Sequence, residues 1–182
     1  MDWITADQHY NHKKIIEHCH RPFKNLAEMN QTMIGNHNEV VAPNDKVYIL
    51  GDIMYPAIHP GSINPDTILS QLNGRLYYIY SQEYTHEEGL LGCESFFKER
   101  HAILVIKEGR KHITLCHYPM DSWPRSFHGS YHCHGHVHGK NGAEFRPKKN
   151  RLDVGVDGHN FYPWSMREIM EHMEKPENKK RY

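Results

Sequence analysis

The chain opens with a short apolar stretch, Trp3-Ile4-Thr5-Ala6, that stops at Asp7, and this pattern of an apolar run closed by a polar residue returns several times. Residues 46–50, with Val47, Ile49 and Leu50, end at Gly51-Asp52; residues 76–80 lead into Ser81-Gln82-Glu83-Tyr84; residues 112–116 end at His117. Runs this short and this rich in β-branched and aromatic residues predict buried strands. Between them the period changes. Leu26, Met29, Met33, Ile34 and Val41 fall at helical spacing behind Asn25, an N-cap with Glu28 three positions on as its capping-box partner. Asn64-Pro65 opens a second helix with Ile68, Leu69 and Leu72 on one side, and Asn73-Gly74 stops it.

Further along, the pattern predicts a short helix holding Phe96 and Phe97. Two paired strands follow over 102–107 and 112–116, joined through Glu108-Gly109-Arg110. Residues 130–138 read as a strand or strand–loop segment, 151–156 as another strand, and 165–173 as a C-terminal helix. Strands alternating with helices in the first half predict α/β layering, and consecutive strands in the second half predict antiparallel pairing. The expected class is therefore α/β, with mixed sheets flanked by helices.

Composition narrows the class. A chain of 182 residues, 38% hydrophobic, suits one domain with one core, here residues 1–175, followed by a basic tail over 176–182. No run of about 18 apolar residues exists, and the N-terminus lacks a basic segment followed by an apolar one, so the expectation is a cytoplasmic protein without a membrane partner. Lys plus Arg and Asp plus Glu both number 22, which gives no reason to expect a general polyanion-binding surface. Cys19, Cys93, Cys116 and Cys133 form no Cys-x-x-Cys pair, against a zinc ribbon or redox motif.

Histidine stands out, with 17 copies, and its placement matters more than its number. Asp7 and His9 follow the first strand; in an extended chain residues two apart project to the same side, so a carboxylate and an imidazole can share one metal. A bland alternative makes Asp7 the cap of the next helix and His9 merely exposed. Asp52 follows the second strand, where a short carboxylate can bridge two ions, although a turn Asp after Gly is common. His117 ends a strand and reads equally as ligand or as a structural histidine. The strongest signal is His132-Cys133-His134-Gly135-His136-Val137-His138-Gly139, which in extended form puts four imidazoles on one face. Imidazole and carboxylate without paired thiolates favour manganese, iron, zinc or nickel over an iron–sulfur cluster or calcium.

Together these segments resemble the calcineurin-like metallophosphoesterase family, closest to its small bacterial and phage-borne members. The resemblance runs from Asp7-Gln8-His9 with His12 through Cys19-His20-Arg21-Pro22-Phe23, Tyr48-Ile49-Leu50-Gly51-Asp52 and Leu72-Asn73-Gly74-Arg75 to His117-Tyr118-Pro119-Met120, His134-Gly135-His136-Val137-His138-Gly139 and Val154-Gly155-Val156-Asp157. It implies a four-layer α/β/β/α sandwich and two divalent metal ions, manganese favoured. It also implies hydrolysis of a phosphate ester, with nucleic acid among the candidate partners; the small size and lack of a clear cap domain predict an open site, which slightly favours a phosphodiester or nucleotide. Carried over, Asp7, His9, Asp52 and His138 hold one metal; Asp52, His117, His136 and Gln82 hold the other. His12 and Arg21 would meet substrate, and Glu83, His86 or His12 would assist the leaving group. Where the family has Gly-Asn-His-Asp this chain reads Ser81-Gln82-Glu83-Tyr84, which raises the alternative of a catalytically impaired metal-binding module.

Overall fold

The computed structural model describes residues 1–81, 87–139 and 150–175. Two sheets account for the nine strands among these residues. The first runs in the order β4 (Phe97–His101), β3 (Arg75–Ile79), β2 (Lys46–Leu50), β1 (Asp2–Thr5), β9 (Trp164–Ser165). Its strands are parallel except β9, which is antiparallel to β1. The second sheet is β5 (Leu104–Glu108), β6 (Lys111–Leu115), β7 (Tyr131–His134), β8 (Arg151–Asp153).

Three helices, α1 (Lys13–His18), α2 (Leu26–Val40) and α3 (Pro65–Gln71), fall in the first half of the chain, and α4 (Met166–Glu174) lies near its end. Asn25 caps α2 by accepting from Glu28 N, while the Glu28 carboxylate accepts from Lys24 N, one residue before the expected capping-box partner. Pro65 sits in the first turn of α3, where its missing N–H costs nothing. Ser165 and Glu168 form a reciprocal capping box on α4.

Alternation along the strands builds two cores. On β2, Val47 and Ile49 join Met29, Met33, Ile68 and Leu69 from the helices; Tyr48 and Leu50 turn the other way, toward Ile113, Leu115, Tyr131 and Cys133 of the second sheet. A strand covered on both faces reads as a nearly continuous apolar run, as β2 does. Met166, Ile169 and Met173 of α4 close the second core against β1 and β8. The outer face of the second sheet carries Thr114, His132 and His134, all buried; Met120 N donates to His132 Nε2, and the Trp123 ring lies 5.3 Å from that of His132. The architecture is thus mixed α/β, two mixed sheets flanked by helices.

Three expectations change. Phe97 is not helical: a single 3-10 turn ends at Phe96, and Phe97 opens β4 because its ring stacks on Tyr78 in the core, 5.1 Å away. Val41 is the C-cap of α2, extended yet still buried. In the second sheet only β5 and β6 are antiparallel; β6, β7 and β8 run parallel, because residues 116–130 are long enough to cross back over the sheet.

No helix among the described residues is long and apolar enough to cross a membrane. Tyr78 is fully buried and donates to Glu87.

Candidate metal centre

β1 and β2 are parallel neighbours, and so are β6 and β7, so the segments leaving their C-terminal ends gather at one edge of each sheet. Backbone bonds knit these exits together. His9 N donates to Asp52 O (2.9 Å) and Gly135 N to His117 O (2.9 Å), while Val156 N donates to Ala6 O (3.1 Å) and so ties the two sheets. Strand-end crevices of this kind are where α/β proteins place their sites.

Two groups of ligand atoms result. Asp7, His9 and His138 offer atoms within 4.8 Å of one another, and so do Asp52, His117 and His136. Asp52 faces both groups: Oδ2 is 3.6 Å from His9 Nε2 and Oδ1 is 3.6 Å from His117 Nε2. His9 Nε2 and His138 Nε2 stand 3.2 Å apart. Asp7 is fully buried, and both its oxygens accept from His136 N, at 3.0 and 2.9 Å.

The backbone that aims these side chains is not extended. Asp7, His9, Asp52, His136 and His138 all have left-handed φ, at 58°, 53°, 46°, 73° and 50°. Each costs energy for a residue with a Cβ, and such strain persists only where the surroundings over-determine it, commonly at functional sites. The four histidines of the His132–His138 run therefore do not share a face. β7 ends at His134; His132 and His134 stay buried in the strand, while His136 and His138 turn into separate groups. Nor does Asp7 cap a helix: α1 begins at Lys13 behind His12.

Glycines make room. A Cβ on Gly51, itself at φ 71°, would lie 2.3 Å from His117 Nδ1, and a Cβ on Gly135 or Gly155 would lie 2.6 or 2.7 Å from Asp7 Oδ2. Outer partners fix the imidazoles. His117 Nδ1 is 2.9 Å from Leu50 O, so it donates there and leaves the Nε2 lone pair toward Asp52. His138 Nδ1 is 2.7 Å from Asp157 Oδ2, leaving its Nε2 toward His9. Carboxylate–histidine pairs of this kind are typical supports of metal ligands.

Electrostatically the centre favours bound protons. Burial, abetted by Asp153 and Asp52, pushes the Asp7 carboxyl well above the usual range despite His138 and the His136 N–H. Burial pulls His138 down, but its bonds to Asp157 and Cys19 and the Asp7 charge outweigh it and raise it to about 10. Both shifts mean that protons are drawn to a place where a cation would do the same work.

No family model matches the chain. It is 32% identical over 176 residues to the uncharacterized protein MJ1445 of Methanocaldococcus jannaschii, covering 95% of this chain and 91% of that protein. The chain belongs to the same family as MJ1445. It is also similar to the protein of unknown function AQ665 from Aquifex aeolicus, whose crystal structure superposes with a TM-score of 0.73 at 24% identity, over 94% of this chain and 98% of that one. At that identity the likeness carries the fold alone.

In this MJ1445-family chain six of the residues nominated from sequence, Asp7, His9, Asp52, His117, His136 and His138, meet at the centre. Gln82, Glu83 and His86 lie outside the described residues. Arg21, nominated as a substrate contact, turns into the protein interior. Its side chain is wholly buried: Nε and Nη2 donate to Asp157 Oδ1 and Oδ2, Nη2 also to Asp7 O, and Nη1 to Gln8 O, with the sulfurs of Met29 and Met33 beside it. A guanidinium can bond so many inward groups only by facing away from solvent. Asp157 is the residue that sequence reasoning passed over: it lay inside a quoted motif with no role, yet it joins Arg21 to His138. Cys19, His138 and Asp157 also cluster, but Asp157 already takes the Arg21 fork on both oxygens, and a cation there would sit against the guanidinium.

Proposed function

We propose that this protein is a dinuclear metal-dependent phosphoesterase, hydrolysing a phosphate ester, with a phosphodiester or nucleotide the preferred class. The observation that carries this reading is the position of Asp52, whose two oxygens face histidines of two separate three-residue groups. One cation would be held by Asp7, His9, His138 and Asp52, the other by Asp52, His117 and His136. The donors fit. All are imidazole nitrogen or carboxylate oxygen, suiting manganese, iron, zinc or nickel, with manganese favoured, and no thiolate competes within either group. The fold this implies is the four-layer α/β/β/α sandwich of the metallophosphoesterase type.

When bound, two divalent ions neutralise phosphate charge and acidify water near neutral pH. The chain itself supplies the frame. Asp7, buried, is held by the His136 N–H; His117 and His138 are fixed in one tautomer by Leu50 O and Asp157; the glycines at 51, 135 and 155 admit no side chain that would fill the cage. Fixed ligands of this kind reduce reorganisation when substrate enters.

The test uses protein purified without a histidine tag. Metal content is measured, and turnover of bis-p-nitrophenyl phosphate and p-nitrophenyl phosphate is followed with manganese, nickel, zinc and iron. About two ions per chain and metal-dependent turnover are expected, and Asp52→Asn should abolish both. Full activity in Asp52→Asn rules out the bridge. Two ions without turnover of any ester would instead favour the impaired metal-binding module that Gln82 and Glu83 raise; restoring Asn and His there would then raise the rate.

A further inference from the structure

His12, nominated from the sequence as a substrate or acid–base group, has a second feature in its position. His12 is the N-cap residue of α1, where Ser, Thr, Asp and Asn are favoured because their side chains accept a backbone N–H. Its side chain makes no such bond. Instead its Nδ1 lies 3.1 Å from His9 Nδ1, and its ring stacks on Tyr55 at 4.5 Å and 15°. The helix start forgoes a local side-chain cap, and the ring edge is held against a neighbouring imidazole.

We infer that His12 is a positioning residue that fixes the orientation and tautomer of His9. This rests on the reading of His9 as a metal ligand. The tautomers follow from geometry. His9 Nε2 faces His138 Nε2 and Asp52 Oδ2, so its lone pair belongs to the cage and its hydrogen must sit on Nδ1. That hydrogen then donates to His12 Nδ1, which must be the bare nitrogen, so His12 carries its own hydrogen on Nε2. Tyr55 holds the ring plane from one face. His9 thus receives from an imidazole the support that His117 takes from Leu50 O and His138 from Asp157. Each of the three histidines buried or half-buried at the centre has a different outer partner.

The chemistry dictates a discriminating pair of variants. Counted from Cβ, the Asn Oδ1 occupies the place of the His Nδ1, whereas the Gln amide reaches the place of Nε2. His12→Asn can accept from His9 Nδ1–H; His12→Gln cannot do so from the same position. Wild type, His12→Ala, His12→Asn and His12→Gln are titrated with zinc against a chromophoric chelator, and their cobalt absorption spectra are recorded. Expected is a loss of about 10–100-fold in affinity for one of the two ions in His12→Ala, with the other step unchanged, the size typical of lost outer-shell partners. His12→Asn should recover most of the loss and His12→Gln little, with the cobalt spectrum of the same site altered in the two weak variants. If wild type takes up two ions and all three variants bind them as tightly, the inference is overturned while the dinuclear reading stands. Better recovery by Gln, with changes confined to kcat or KM, also overturns it and returns His12 to the substrate. A wild type that takes up no metal overturns both.

Discussion

Removing the Asp157 carboxylate should weaken the protein and one of the two proposed metal positions together. Asp157 accepts three short bonds: from Arg21 Nε and Nη2, each at 2.8 Å, and from His138 Nδ1 at 2.7 Å. The Arg21 side chain is 0% exposed and that of Asp157 8%, so solvent has little access to replace a lost partner. Burial alone would raise the Asp157 pKa, yet the bonds to His138 and Arg21 bring it below the ordinary value, so the group enters as a carboxylate. In Asp157→Ala a buried guanidinium loses its counter-charge, a change that costs about 3–5 kcal/mol. Asp157→Asn keeps one acceptor and the shape, and should cost about half as much, since a hydrogen bond to a charged group is worth roughly 1.5–3 kcal/mol. His138 loses the partner that aims its Nε2, which predicts about 10–100-fold weaker binding of one ion, or about 1.4–2.8 kcal/mol. Urea unfolding with a chelator present measures the first effect and competitive zinc titration the second. A double-mutant cycle with Arg21→Ala should show strong non-additivity, because the two side chains share the same bonds. If Asp157→Ala unfolds within about 0.5 kcal/mol of wild type and binds both ions normally, the buried strut assigned to Asp157 is wrong.

Other outcomes follow from single features. Gly51→Ala combines a left-handed φ with a Cβ 2.3 Å from His117 Nδ1; thermal unfolding should show a loss of about 2–5 kcal/mol, and metal analysis the loss of the Asp52/His117/His136 ion. His132 and His134 are each lowered to about 4, chiefly by burial, so the unfolded chain binds more protons between roughly pH 6.5 and 4. Their contribution to stability is complete above pH 6.5 and is lost as the pH falls toward 4, at up to about 1.4 kcal/mol per pH unit for each. His132→Asn should flatten the measured dependence of unfolding free energy on pH over that interval. Ser165→Ala removes the capping box of α4, far from the centre, and should cost about 1 kcal/mol by denaturant unfolding while leaving metal uptake unchanged.

Most elements were legible in the chain because they obey local rules. β2 is Lys46–Leu50 as its apolar run predicts, Asn25 and Asn64 cap their helices, and β5 and β6 pair across Gly109. What failed locally was decided by distant partners. Phe97 joins a strand because Tyr78 offers it a ring to stack on.

At the centre the sequence determined which donors exist and that each follows a strand, because residue type and the end of an apolar run are local properties. It did not determine how they converge. An extended chain would have placed Asp7 beside His9 and four histidines in a row, whereas left-handed turns at Asp7, His9, Asp52, His136 and His138 redirect them into two groups. Tertiary structure alone decided the outer partners as well: Arg21 turned inward onto Asp157, 136 positions away, and Asp157 turned onto His138. The physical reason is that a buried charge is tolerable only beside its counter-charge and bonded to it, and which residues meet in the interior is settled by packing rather than by any pattern along the chain.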